Sequence, residues 1–440
     1  STHPNGKAYY EYQLRQMTTT GMTAEEIHAL GLKEVERIKG EMTALKDKVG
    51  FQGDLDAFFT FIDTDKQFKY PNTDAGRQAY IDDATRAIDN IKKVLPEYFG
   101  LLPKADLVVK RVEPFREQDG AAQHYFPGTP DGARPGVYYA HLSDMNAMPK
   151  PELEVIAYHE GLPGHHMQIS IAQELTGVPK FRTQYGVTAY AEGWGLYSEW
   201  LAKEMPGTYQ DPYSEFGRLS SEMWRAIRLV VDTGLHAKGW TEQQAVEYFD
   251  ANSAVPRAAI ESEIKRYLIM PGQATAYKIG MIKIQELRKK AETELGDKFD
   301  IKGFHDSVLG GGAANIFGCS FNLSWAAEPT YPGLYSTSVS NTANGRFAWD
   351  SKYKDRNGDF MQYAVLASAE AVAQTPGSAC FLDGKVYLMT VDGRAPDVDI
   401  RIFQDSTFRV TGPYTLYTEG VNFLGVQNVL TRATAENMTP

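Results

Sequence analysis

The sequence predicts a mainly α-helical protein with a small antiparallel β-sheet in its first half and a β-rich module at its C-terminal end. Three observations carry this. Apolar residues recur at helical spacing over residues 7 to 48, 73 to 99 and 151 to 295. Short β-branched and aromatic runs separated by turn formers fill 104 to 144. After about residue 316 the composition turns to Ser, Thr, Asn, Gly and aromatics.

The first helical stretch holds "EEIHALGLKEVERIKGEMTALKDKV", apolar positions spaced among good helix formers. Between 104 and 144, "ADLVVKRV" and "GVYYAHL" flank "PGTPDGARPG", which reads as strands joined by turns. Helical patterns then run from "PELEVIAYHE" through "GHHMQISIAQEL", "TAYAEGWGLYSEWLAKEM" and "EFGRLSSEMWRAIRLVVDTGLHAKG" to "QATAYKIGMIKIQELRKKAETEL". Pro151, Thr241 and Pro256 fall at helix starts and Gly239 at a stop. In the tail, "KVYLMTVDG" and "DIRIFQDSTFRVTG" alternate as strands do, with Asp383-Gly384 and Asp392-Gly393 as turn signals. Two domains are expected: residues 1–316, helical with the small sheet, and 317–440, β-rich and of unassigned role.

At 440 residues and 42% hydrophobic content the chain can bury a large core. Its net charge of −11, with no run of Lys and Arg, argues against nucleic acid or an anionic membrane surface as partner. No apolar run approaches the roughly 20 residues that cross a bilayer. The start, "STHPNGKAYYEYQLR", lacks the basic and apolar regions of a secretory signal, so the chain is cytosolic or a signal has been removed. Cys319 and Cys380 allow one disulfide and no framework.

The chemistry concentrates in "YHEGLPGHHMQ", residues 158 to 168. It begins as the zinc signature H-E-x-x-H and places Pro163 where the second histidine belongs. Proline lacks an N–H and crowds the preceding turn, and Gly161 and Gly164 flank it, so the helix is expected to bulge there. A bulge absorbs the two extra residues and returns His165 to the place of the missing histidine. His166 is the alternative: it shares a face with His159 in an undistorted helix, but two turns, about 10.5 Å, separate them. Catalytic zinc takes three protein ligands and keeps one position open. The third falls to Glu192 in "AYAEGWGLY", on the next helical segment.

"HEGLPGHH", "YAEGWGLYSE", "RLVVDTGLHAKGW" and "PGQATAYKIG", in that order, resemble the bacterial family known as domain of unknown function 885, over about residues 5 to 316. The resemblance implies a helical zinc-peptidase-like fold with an HExxPGHH signature, distantly related to HExxH peptidases, often exported or lipid-anchored. A periplasmic or extracellular location is therefore expected. It implies zinc held by His159, Glu192 and one of His165 and His166, with Glu160 as the general base that takes a proton from the attacking water. Family members usually carry a further N-terminal helical stretch, and the tail after 316 does not resemble them.

Other pocket residues follow from chemistry alone. "RPGVYYAHL", 134 to 142, reads as a structural strand or as an edge strand able to pair with an extended peptide. Arg228, Asp232 and His236 share one helical face, as a buried network or with His236 as a donor to an oxyanion. Tyr277 suits stabilisation of a tetrahedral intermediate, and Arg266 suits a substrate carboxylate. Trp194, Tyr197 and Trp224 read as core. The expected function is a zinc-dependent peptidase acting on oligopeptides. A metal-dependent hydrolase of another amide or ester, and a non-catalytic binding protein of the same fold, are the alternatives.

Overall fold

The structure, a computed structural model, describes residues 5–117, 121–176 and 186–311, and beyond them the strands and one short helix between 326 and 419. The chain divides into two compact units, the first ending at residue 317 and the second comprising 318–440 with 179–181.

The first unit is mainly helical. The segment from 7 to 48 breaks into α1 (Gly6–Thr18) and α2 (Ala24–Lys48). The break has a local cause: Thr19 adopts φ 54°, and Thr23 restarts the helix with a reciprocal capping box to Glu26. Then follow α3 (Leu55–Thr64) and α4 (Asp74–Tyr98). Helix α3 is not expected from "LDAFFTFIDT", whose aromatics favour strand over helix. Asp54 decides it by capping the Ala57 N–H, and Phe58, Phe59 and Ile62 are buried.

Strands β1 (Leu107–Arg111), β2 (His124–Phe126) and β3 (Gly136–Ala140) form a sheet of order β1-β3-β2. The sheet is mixed, which corrects the antiparallel expectation: β3 runs antiparallel to β2 but parallel to β1, with Leu107 opposite Gly136. The turn-rich "PGTPDGARPG" joins only β2 to β3, while the whole stretch between β1 and β3 is long enough for a crossover. A second correction follows. With β3 in the centre, "GVYYA" has both edges paired and offers none to a peptide.

The remaining helices are α5 (Leu153–Glu160), α6 (His165–Glu174), α7 (Thr188–Ala202), α8 (Pro212–His236), α9 (Glu242–Asp250), α10 (Arg257–Ile269), α11 (Ala276–Leu295) and α12 (Ile301–Gly310). Thr241 caps α9 through a capping box with Gln244, and Gly239, at φ 73°, lies in the turn before it. One apolar core joins α4, the sheet, α5, α6, α7 and α11, with Trp194 and Tyr197 wholly buried in it. Another joins α2, α3, α8, α9 and α10. Helix α2 lies close along α8, since a Cβ on Gly31 would stand 2.7 Å from that of Leu229. The charges enclosed beside these helices are paired: Glu222 accepts from Lys278 at 2.6 Å, from Arg218 at 2.8 Å and from Arg37.

In the second unit β4 (Ala326–Ala327), β5 (Tyr335–Ser338), β8 (Ala364–Val365), β9 (Ser378–Leu382) and β10 (Lys385–Met389) make a five-stranded sheet. Strands β6 (Phe347–Lys354), β7 (Phe360–Gln362) and β11 (Ile400–Phe403) make a three-stranded one, and β12 (Thr407–Val410) pairs with β13 (Leu416–Glu419). Cys319 and the pairs Asp383-Gly384 and Asp392-Gly393 lie outside the described residues. Among the described residues no helix is long and apolar enough to cross a membrane.

Candidate metal centre

The HExxPGHH segment is two helices with a turn between them. Helix α5 ends at Glu160, residues 161–164 turn with a cis Leu162–Pro163 peptide, and α6 starts at His165. The expected bulge in one helix is thus a full interruption, because Gly161 and Gly164 have ψ of −116° and −127°, far from helical. Close approach makes Gly164 necessary: a Cβ there would sit 2.0 Å from the His159 carbonyl oxygen. Helix α7 holds the turn in place, since Trp194 Nε1 and Ser198 Oγ donate to the Pro163 carbonyl at 2.8 and 3.2 Å.

The interruption brings His159 and His165 together, with ring centroids 4.6 Å apart at 86°. Glu192 on α7 completes the group. Its Oε2 lies 3.6 Å from His159 Nε2 and 3.4 Å from His165 Nε2, and one ligand atom of each residue lies within 4.8 Å of the others. A tetrahedral zinc ion with bonds of about 2.0–2.1 Å sets its donors about 3.3–3.4 Å apart, so this donor set fits zinc in kind and spacing. Helix α7 comes this near only because residue 195 is glycine, where a Cβ would stand 2.8 Å from His159 Cε1.

His159 is steered by Glu199, a residue outside the set expected from the sequence. Glu199 Oε1 accepts from His159 Nδ1 at 2.6 Å, leaving Nε2 to face Glu192. Glu199 is two helical turns beyond Glu192, so the i, i+7 spacing on α7 was the available signal. Tyr209 donates to the Glu199 backbone carbonyl at 3.0 Å. His165 Nδ1 and Glu199 Oε2 are buried without a hydrogen-bond partner among the described residues.

Three carboxylates crowd two imidazoles. Burial opposes charge on His159, yet hydrogen bonds to Glu192 and Glu199 and the charges of Glu199 and Glu160 raise its pKa to about 10. Burial raises the Glu192 carboxyl, but His159 and His165 together hold it well below 4.5. Burial pushes Glu160 above its ordinary value, with the two histidines opposing. A negative cluster of this kind favours a cation.

The remaining candidates lie outside this cluster. His166 points away from it: its Nε2 lies 3.0 Å from the Ala105 carbonyl and its Nδ1 3.0 Å from Tyr125 Oη. Burial lowers its pKa to about 4. The clustered ligand atoms belong to His165 and not to the alternative, His166. His236 Nε2 is committed to the Tyr267 carbonyl at 2.9 Å, and Asp232 accepts from Tyr10 and the Gly272 N–H, so these two residues belong to a structural network. That corrects the oxyanion role for His236. Arg266 donates to Gln273 at 2.9 Å and to Tyr277 Oη at 3.4 Å. A groove of about 670 Å³, lined by Glu34, Arg37, Lys203, Arg218 and Glu286 among others, contains none of the metal-cluster residues.

The fold and the cluster together define a helical protein with an interrupted His-Glu metal signature. The chain belongs to the family described as "Bacterial protein of unknown function (DUF885)", whose model matches residues 1–316. Among solved structures it is similar to "the putative lipoprotein from Colwellia psychrerythraea", at 38% identity and a TM-score of 0.69 over 72% of this chain and 54% of that one. A second similar structure, described as "a putative lipoprotein of unknown function from Shewanella oneidensis", has 24% identity and a TM-score of 0.59, covering 70% of this chain and 58% of that one, and shares the fold. The chain therefore spans little more than half the length of either. No curated protein matches it.

Proposed function

We propose that this protein is a zinc-dependent peptidase that hydrolyses oligopeptides with Glu160 as general base. The observation that carries this reading is the convergence of His159, His165 and Glu192, with imidazole to carboxylate separations of 3.6 and 3.4 Å, directly beside Glu160. Zinc, when bound by these three residues, supplies a Lewis acid for the scissile carbonyl and makes a water acidic near neutral pH. The Glu160 carboxylate accepts the proton of the attacking water and returns it to the leaving amine. Glu199 holds His159 in the tautomer whose Nε2 lone pair faces the cation. An envelope location is supported by the Colwellia protein, which is described as a "putative lipoprotein".

A digest of a defined peptide library by the zinc-loaded chain tests this. Cleavage is expected, and Glu160→Gln is expected to reduce it by roughly 10²–10⁴-fold with zinc retained. Equal cleavage by that variant removes the base assignment. Hydrolysis of esters or simple amides without any peptide cleavage removes the peptidase reading.

A further inference from the structure

Three guanidinium groups gather around one tyrosine, Tyr277 on α11. The Arg228 and Arg225 guanidinium carbons stand 4.6 and 5.8 Å from the Tyr277 ring centroid, and both also face the Trp224 ring, at 5.5 and 5.8 Å. Arg266 reaches the Tyr277 hydroxyl at 3.4 Å. Glu263 is the carboxylate that pairs with this group, bonding Arg228 at 2.8 Å and Arg266 at 3.3 Å. Among the described residues Arg225 has no carboxylate partner; its Nη1 is bonded to Ser221 Oγ at 2.8 Å.

The donors of these cations are not all used. Arg225 Nε and Arg228 Nη1 are both buried with no hydrogen-bond partner among the described residues. The Tyr277 hydroxyl accepts from Arg266 and from Gln273 Nε2, each at 3.4 Å, and no acceptor for its own hydrogen is found among the described residues. Arg225 and Arg228 are also i, i+3 neighbours on α8, where like charges repel. Aromatic faces ease that repulsion without supplying an acceptor. A carboxylate supplies one, because its two oxygens match the planar donor edges of guanidinium groups. Arg225 is only partly buried and is therefore reachable from solvent. Helix α11, which carries Tyr277, packs on α7 next to Glu192: a Cβ on Gly280 would stand 2.0 Å from the Ala189 carbonyl oxygen and 2.8 Å from the Gly193 Cα.

We propose that Arg225, Arg228 and Tyr277 form a subsite for a substrate carboxylate next to the scissile bond. The carboxylate is the free C-terminus of a peptide or an acidic side chain near the cut. This rests on the peptidase reading and gives it a substrate class.

The test is equilibrium binding by calorimetry, on the full chain carrying Glu160→Gln so that turnover does not consume the ligand. Three probes are compared: an N-acetylated dipeptide with a free carboxylate, its C-terminal amide, and an amide bearing an aspartate side chain. At least one carboxylate probe is expected to bind roughly 10- to 100-fold more tightly than the neutral amide. A preference for the free acid alone identifies the C-terminus, and a preference for the aspartyl amide identifies the side chain. Adding Arg225→Gln is expected to bring the ratio to about one, and Arg225→Lys to restore part of it. Tyr277→Phe, which keeps the ring between the arginines, is expected to lower the ratio several-fold. Equal or unmeasurable binding of all three probes overturns the subsite, as does a preference that survives Arg225→Gln. If the preference depends on Arg225 but the unmodified chain cleaves no peptide, the subsite stands and the peptidase reading falls. If peptides are cleaved without any carboxylate preference, the subsite falls and the peptidase reading stands.

Discussion

His159 Nδ1 and Glu199 Oε1 lie 2.6 Å apart in the interior of the first unit, and this contact fixes which imidazole nitrogen faces Glu192. A carboxylate so placed orients the ring and raises its basicity toward a metal. Glu199→Gln keeps the shape and removes the charge. Zinc affinity, measured by competition with a chelator, is expected to fall by roughly 10- to 100-fold. An unchanged affinity would leave Glu199 as a packing residue only.

Gly195 gives a steric test of the same site. A methyl group there would stand 2.8 Å from His159 Cε1 and 2.9 Å from Nε2. Gly195→Ala is expected to displace the ring, weaken zinc binding, and lower stability by about 1–3 kcal/mol, the usual cost of overpacking. Thermal unfolding and zinc titration of the variant check both effects.

Much of this site was legible in the sequence, for a local reason. His159, Glu160, Pro163 and His165 lie within one heptapeptide, and proline between two glycines signals a departure from regular helix without reference to the rest of the fold. Choosing between His165 and His166 needed the actual path of the turn, which sends the second ring to the Ala105 carbonyl. Glu199 was readable from its spacing to Glu192, but glutamates two turns apart are common on exposed helices, and only its burial sets it apart. The central position of β3 was not readable, because parallel pairing with β1 is non-local and leaves no turn signature. The His236 face of α8 shows the same limit: the Tyr10 and Gly272 groups bonded to Asp232 come from distant segments.

Asp232 gives a pH-dependent test that is independent of zinc. It is wholly buried, and burial, opposed by His236 and by its bonds to Tyr10 and the Gly272 N–H, raises its pKa from 3.8 to about 6. The folded chain then holds this proton more tightly than the unfolded chain does. The resulting stability is fully present below about pH 4 and is lost as pH rises through about 6. A shift of this size corresponds to about 3 kcal/mol. Relative to Asp232→Asn, the wild-type protein is expected to lose stability between pH 4 and about 6.5. Parallel melting curves of the two proteins across that range would refute the assignment.

All three metal-cluster residues belong to the first compact unit, which ends at residue 317. Residues 1–317 produced alone are expected to bind zinc with the affinity of the full chain. A large loss in the shortened chain, with its helix content intact by circular dichroism, would give the second unit a share in the site.

The most direct measurement is the zinc content of the purified chain and three variants after loading and removal of free metal. His159, His165 and Glu192 as the ligand set predict about one zinc per chain in the wild type, its loss in His165→Ala and Glu192→Ala, and its retention in His166→Gln. A wild-type chain that takes up no zinc, or a site that survives loss of His165 and disappears with His166, would contradict it.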